Sequence, residues 1–196
     1  MGSVARMLVT RAYDVLAGYR DPVQFARGLG VQVGEGVKFY GVSRGMFGSE
    51  PWMVSLGDRV YVTSGVLFVT HDGGTLVLRH EEPTLEWTAP ISVGNDVYIG
   101  VRSIIMPGVS IGDRVIIGAN SVITKSVPND CVVAGVPGRV VRNYSEYRDA
   151  MNEKSLNCGH LTGDDKAQVI ARMYGKSIPP NFGRPRIRDL MRALRQ

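Results

Sequence analysis

His71 is the residue whose type and setting best fit proton chemistry. It lies in the run Val69-Thr70-His71-Asp72-Gly73-Gly74. Imidazole titrates near neutral pH, so a positioned histidine can take a proton from an attacking hydroxyl and later return it. The paired glycines allow a ligand close to the backbone. A histidine on its own is more often structural or solvated. What separates His71 from that default is its place at a break in a regular pattern.

The pattern is a six-residue repeat. From Val93 the chain divides into VGNDVY, IGVRSI, IMPGVS, IGDRVI, IGANSV and ITKSVP, with WTAPIS one unit earlier. The same phase covers Glu50 to Gly73 and Val33 to Arg44, giving thirteen units in all. Six residues are too few for a helical repeat but fit a short strand and a corner. Three such units close a triangular coil. Aliphatic residues at position one are expected to stack inside at the ~4.8 Å strand spacing. Small residues at position five are expected to fit the corners. Glycine at position two is expected to take a corner conformation strained for other residues. The predicted core is therefore an all-β solenoid of a little over four coils. The phase breaks at residues 45–49 and 74–86, and insertions leave a solenoid as loops that often build binding sites.

The flanks read as helices. Residues 5–19 place Leu8, Val9, Ala12, Val15, Leu16 and Tyr19 on one face. Asp21-Pro22 opens a short second helix that Gly28 or Gly30 ends. Glu146–Lys154 and Asp164–Tyr174 are further helix candidates, and residues 187–195 carry an apolar stripe opposite arginines. The expected organisation is a helical segment over 1–32, a β-helix domain over 33–143 with loop 74–86, and a helical extension over 144–196.

Composition narrows the function classes. A formal net charge of +5 divides unevenly. Residues 1–142 hold 13 basic and 12 acidic groups, residues 143–182 five of each, and residues 183–196 five Arg and one Asp. A nearly neutral body does not suggest a broad nucleic-acid surface. The basic tail has two readings. One is a cap packed on the solenoid end; the other is weak membrane-surface contact with anionic lipid. No apolar run approaches the ~20 residues of a membrane span. The N-terminus lacks the apolar core of a secretory signal, and Cys131 and Cys158 form no disulfide framework. The expected location is cytoplasmic.

Two stretches carry a family resemblance. GSEPWMVSLGDRVYVTSGVLFVTHDGG resembles the capsule and sugar O-acetyltransferases of the hexapeptide-repeat acyltransferases. GNDVYIGVRSIIMPGVSIGDRVIIGANSVITKSVPNDCVVAGVPGRVVR resembles that family's coenzyme A section and closing signature. The resemblance implies a left-handed parallel β-helix, a handedness opposite to ordinary right-handed crossovers. It implies a homotrimer with active sites between subunits. It also implies an acetyl-CoA-dependent O-acetyltransferase acting on a sugar or glycan, with His71 as general base. Transfer would be direct, without a covalent intermediate and without a metal. Backbone N–H groups near the loop would stabilise the oxyanion.

Around His71, Glu50 would steady the imidazole or hold a sugar hydroxyl, unless it is a surface corner. Trp52 would offer a flat face to a sugar ring or pack the loop. Asp72 would orient His71, bind substrate, or bond the Gly73-Gly74 turn. Arg79 and His80, on the loop, would contact substrate or are solvated loop residues, the default reading. For coenzyme A, Lys125, Arg139 and Arg142 would meet its phosphates. Gly118 and Ala119 would let the pantetheine arm lie along the backbone. Tyr98, where relatives commonly have Trp, would form an aromatic wall. The runner-up reading is N-acetylation of an amino sugar or small amine. A β-helical carbonic anhydrase would need three histidines on adjacent coils, and only His71 is near one. A non-catalytic scaffold would need neither His71 nor the Lys125 and Arg142 signature.

Overall fold

The computed structural model describes Asp14, Ala17, Gly18 and residues 20–179. The proposed helical faces at 5–19 and 187–195 lie outside the described residues. The chain forms two units, Met1–Tyr147 and Arg148–Gln196.

Asp14, Ala17, Gly18 and Arg20 are helical. Helix α1 (Pro22–Gly28) follows, with Pro at its first position, and the Asp21 carboxylate accepts from the Gln24 N–H at 3.0 Å. Phe25 and Ala26 of α1 are buried. The solenoid then begins. Its first coil contributes β1 (Gln32–Val33) and β2 (Lys38–Phe39). The second contributes β3 (Val54–Leu56), β4 (Tyr61–Val62) and β5 (Leu67–Phe68). The third holds β6 (Ile91–Val93), β7 (Tyr98–Ile99) and β8 (Ile104–Ile105), and the fourth β9 (Ser110–Ile111), β10 (Ile116–Ile117) and β11 (Val122–Ile123). Strand β12 (Cys131–Ala134) lies on β10, and β13 (Arg139–Asn143) turns back antiparallel to it.

Three sheets result, ordered β1-β3-β6-β9, β13-β12-β10-β7-β4-β2 and β11-β8-β5. We call them first, second and third. All pairings except β12–β13 are parallel. The protein is a left-handed parallel β-helix with helical elements at its flanks.

The repeat reads differently in space from the sequence expectation at three points. First, position five points inward together with position one. Val60, Val66, Val97 and Val115 are as buried as Val62, Ile99 and Ile117. Where position five is serine, Ser103 and Ser121 are buried and both donate to the Gly118 carbonyl, at 3.0 and 2.7 Å.

Second, the left-handed corner is position four. Arg59, Asp96, Arg102, Arg114 and Asn120 have φ between 53° and 58°. Position-two glycines serve close approach instead. A Cβ on Gly57 would lie 2.7 Å from the Gly94 carbonyl oxygen of the next coil, and one on Gly100 would lie 2.6 Å from Ala119 N. The corners are tied vertically. Asp58, Asn95, Asp113 and Asn129 each accept a backbone N–H from the coil before, at 2.6–2.8 Å. Arg59 pairs with Asp96 and Arg114 with Asp130, each through two bonds.

Third, the main insertion is longer than residues 74–86. Leu56 pairs with Val93, 37 positions on, whereas Val93 pairs with Ile111, 18 on; the excess is 19. WTAPIS therefore supplies no face of its own. Its first residue, Trp87, is exposed, and only its end enters β6. The excursion closes at its base. His71 and Thr88 form an antiparallel bridge, flanked by Asp72 N–H to Trp87 O (3.0 Å) and Ala89 N–H to Thr70 O (2.8 Å).

The smaller insertion replaces the third strand of the first coil. A 3-10 turn over Arg44–Phe47 buries Phe47 against Phe68, with rings stacked 5.7 Å apart, and edge-on to Phe39 at 6.1 Å. This aromatic cluster fills the core at the solenoid's N-terminal end.

The second unit, described by itself, holds most of α2 (Tyr144–Glu153) and all of α3 (Gly163–Met173). Asp164 and Asp165 stand in the first turn of α3, where the helix dipole favours negative charge.

Candidate active site

The two insertions meet at one point. Glu50 opens the 3-10 turn Pro51–Met53 after the smaller insertion; His71 opens the larger one. The Glu50 Oε2 atom lies 2.8 Å from His71 Nδ1 and accepts the Thr70 hydroxyl at 2.7 Å. Of Glu50's three sequence readings, the geometry fits the one in which it steadies the imidazole. The hydrogen bond from Thr70, then that from His71, holds the Glu50 carboxyl below the usual glutamate range. An ionised carboxylate only accepts, so Nδ1 carries the hydrogen. His71 Nε2 is then a lone-pair acceptor, the form a general base requires. Thr70 is fully buried, and sequence reasoning passed over it; its adjacency to His71 was the available signal.

Neutralising Glu50 is expected to lower turnover without unfolding the coils. In Glu50→Gln, kcat should fall by roughly 10–100-fold, with acceptor KM nearly unchanged, because the fixed tautomer is lost. The depressed Glu50 pKa makes this pair stabilising above the ordinary glutamate value of 4.5, and that stability disappears as pH falls through the lowered folded value. Melting temperature measured from pH 6 to pH 3 should therefore drop less in Glu50→Gln than in the unsubstituted chain.

Other expected site residues are placed as follows. One oxygen of Asp72 accepts the Gly74 N–H at 2.9 Å, the turn role among its readings. Trp52 is 62% exposed, two residues from Glu50. Arg79 binds Leu85 O and pairs with Glu86, and His80 Nδ1 lies 2.9 Å from Val77 O; both are engaged within the excursion. No cluster of three or more metal-binding side chains exists among the described residues.

The expected coenzyme A contacts fall on two edges of the prism. Lys125 follows β11 at the edge between third and first sheets, the edge from which His71 leaves. Lys125 and Arg139 line one cleft of ≈ 280 Å³ with Ser126, Pro128 and Gly138. Neither cation pairs with a carboxylate among the described residues. Arg142 sits on β13 opposite Val132. Gly118 and Ala119 occupy the edge between second and third sheets, and Tyr98 points outward from the second sheet, 40% exposed. The backbone of Gly118 is already paired. Its N–H donates to Val133 O at 2.8 Å, and two serine hydroxyls occupy its carbonyl. Ala119 is exposed at that corner.

Comparison with known proteins decides the family. Protein CapG from Staphylococcus aureus is 43% identical over 148 residues, covering 76% of this chain and 86% of that protein. This chain belongs to the hexapeptide-repeat acetyltransferases. The family described as the hexapeptide repeat of succinyl-transferase matches residues 90–125. The galactoside O-acetyltransferase of Escherichia coli (strain K12) is 36% identical over 131 residues; the match covers 66% of this chain and 62% of that enzyme. A solved maltose O-acetyltransferase from Clostridium difficile 630 matches with a TM-score of 0.48 and 24% identity, covering 70% of this chain and 83% of that one. The chain is thus an acyltransferase, as its sequence resemblance implied. Among the described residues no helix is long and apolar enough to cross a membrane.

Proposed function

We propose that this acetyltransferase moves the acetyl group of acetyl-CoA to a hydroxyl of a sugar or glycan, with His71 as general base. The observation that carries the reading is the hydrogen bond from His71 Nδ1 to ionised Glu50 at the mouth of the solenoid's largest insertion. The acceptor hydroxyl gives its proton to His71 Nε2 as its oxygen attacks the thioester carbon. The tetrahedral oxyanion collapses, the C–S bond breaks, and the imidazolium returns the proton to the thiolate. No covalent enzyme intermediate forms and no metal takes part in this scheme. The sugar acceptor is supported by the galactoside enzyme among its relatives.

Lys125 and Arg139 would hold the phosphates of the donor, because both cations share one cleft and neither is neutralised there. Arg142 lies near that cleft in sequence and is kept as a third contact. Residues of the two prism edges do not converge within one chain. We therefore read the enzyme as a homotrimer in which a neighbouring copy brings its Gly118, Ala119 and Tyr98 edge toward His71. A cytoplasmic setting fits the two free cysteines.

The test is thiol release from acetyl-CoA with a panel of sugars and amino sugars. Hydroxyl acceptors should be turned over and their deoxy analogues should not. The double variant Lys125→Ala, Arg139→Ala should raise the acetyl-CoA KM by roughly 10–100-fold with acceptor KM unchanged. Faster turnover of an amine would favour the N-acetyltransferase reading.

A further inference from the structure

We propose that Thr88 is a second acceptor-binding residue and that the acceptor is recognised as a vicinal diol. This rests on the reading of His71 as base. The argument starts from the closure of the excursion. His71 and Thr88 face each other in an antiparallel bridge whose hydrogen bonds lie one residue to either side, from Asp72 N–H to Trp87 O and from Ala89 N–H to Thr70 O. That is a non-hydrogen-bonded pair. In such pairs the two side chains project from the same face and approach most closely, with Cα atoms ~4.5 Å apart. Trp87 and Asp72, one position along, belong to the other face.

The polarity of the two groups is fixed by what holds them. The Thr88 hydroxyl donates its hydrogen to Glu86 Oε1 at 3.2 Å. Glu86 is held by Arg79, whose Nε–H donates to Leu85 O at 2.9 Å. With its hydrogen committed, Thr88 Oγ1 presents lone pairs only. His71 is in the same condition, with Nδ1–H bound to Glu50 and Nε2 without a hydrogen-bond partner among the described residues. Two hydrogen-bond acceptors therefore stand side by side on one face of the neck. A ligand with two adjacent hydroxyl donors satisfies both. One hydroxyl gives its proton to His71 Nε2 and becomes the nucleophile, while its neighbour donates to Thr88 Oγ1 and sets the ring's orientation. A lone alcohol leaves Thr88 unmet.

The experiment measures kcat and KM for the best methyl hexopyranoside and for its monodeoxy analogue lacking the neighbouring hydroxyl. The unsubstituted enzyme should prefer the diol by about tenfold or more in kcat/KM. Thr88→Val, which keeps the side-chain shape and removes the hydroxyl, should raise the diol's KM about tenfold and abolish that preference. Acetyl-CoA KM should stay unchanged, and Thr88→Ser should restore the preference. The proposal is overturned if Thr88→Val still prefers the diol, or if Val and Ser variants lose activity equally. Should Thr88→Val fail to fold, the Ser and Ala variants make the same comparison. His71→Ala run in parallel separates the two readings. If it is inactive while Thr88 variants behave normally, only the diol fails; if it turns over, the base assignment fails.

Discussion

His71→Ala should lose turnover by about 10²–10⁴-fold while keeping the fold. The imidazole is half-exposed at the neck of an excursion, outside the stacked core, so removing it leaves the coils' packing intact. Under the proposed mechanism, what disappears is the Nε2 lone pair that would take the acceptor's proton. Glu50 and Thr70 stay bonded to one another and supply no substitute base. Circular dichroism should match the unsubstituted chain, unfolding should stay cooperative with only a small drop in Tm from loss of the Glu50–His71 bond, and thiol release should approach background. Near-normal turnover in a folded His71→Ala chain would remove the proposed mechanism. The same variant also tests shared sites. Ala119→Trp, on the other prism edge, is expected to be inactive for lack of donor space. If sites are built from two copies, co-assembled His71→Ala and Ala119→Trp chains should regain a fraction of activity that neither has alone. Without recovery, each chain holds a complete site.

Gly94→Ala is expected to be among the most damaging single methyl additions in the body of the molecule. Its Cβ would stand 2.5 Å from Asp113 Oδ1 and 2.8 Å from the Gly112 carbonyl carbon of the coil above. Asp113 cannot simply swing away, because Oδ1 accepts both Asn95 N–H and Asn95 Nδ2–H. The coil spacing is fixed by strand hydrogen bonds on three sides, so the contact must be relieved by distortion. A cost of about 3 kcal/mol follows, or roughly 6–12 °C in Tm for a domain of this size. Arg102→Gly supplies the contrast. Arg102 holds a left-handed φ of 58° that glycine adopts freely, so its replacement should leave stability within about 1 kcal/mol. Thermal unfolding of both variants decides the matter. A larger loss in Arg102→Gly would return conformational demand to first place.

The repeat was legible because its physics is local. Aliphatics every six residues announce a coil, and Val62, Ile99 and Ile117 stack where that spacing puts them. Two misreadings came from treating one chain position at a time. Glycine at position two looks like a turn residue until the next coil is laid on top; the crowding belongs to a neighbour 18 residues away. WTAPIS keeps the phase by chance spacing, and only the pairing of Leu56 with Val93 exposes the longer insertion. Within the site, His71 was marked by the break in the repeat. Glu50 had several readings in sequence, and only folding brings it 2.8 Å from an imidazole 21 residues away. Thr88 had no sequence signal, because its place opposite His71 depends on how the excursion returns.

The bridge at the base of that excursion has a further consequence. The sixteen residues between His71 and Thr88 enter and leave through that one facing pair, and the coils above and below keep their register. Under the proposed function, acceptor choice and donor handling would thereby be physically uncoupled. The excursion can be exchanged, lengthened or rewritten between related chains at little risk to the stacked body. Specificity in such a scaffold can diverge faster than its architecture.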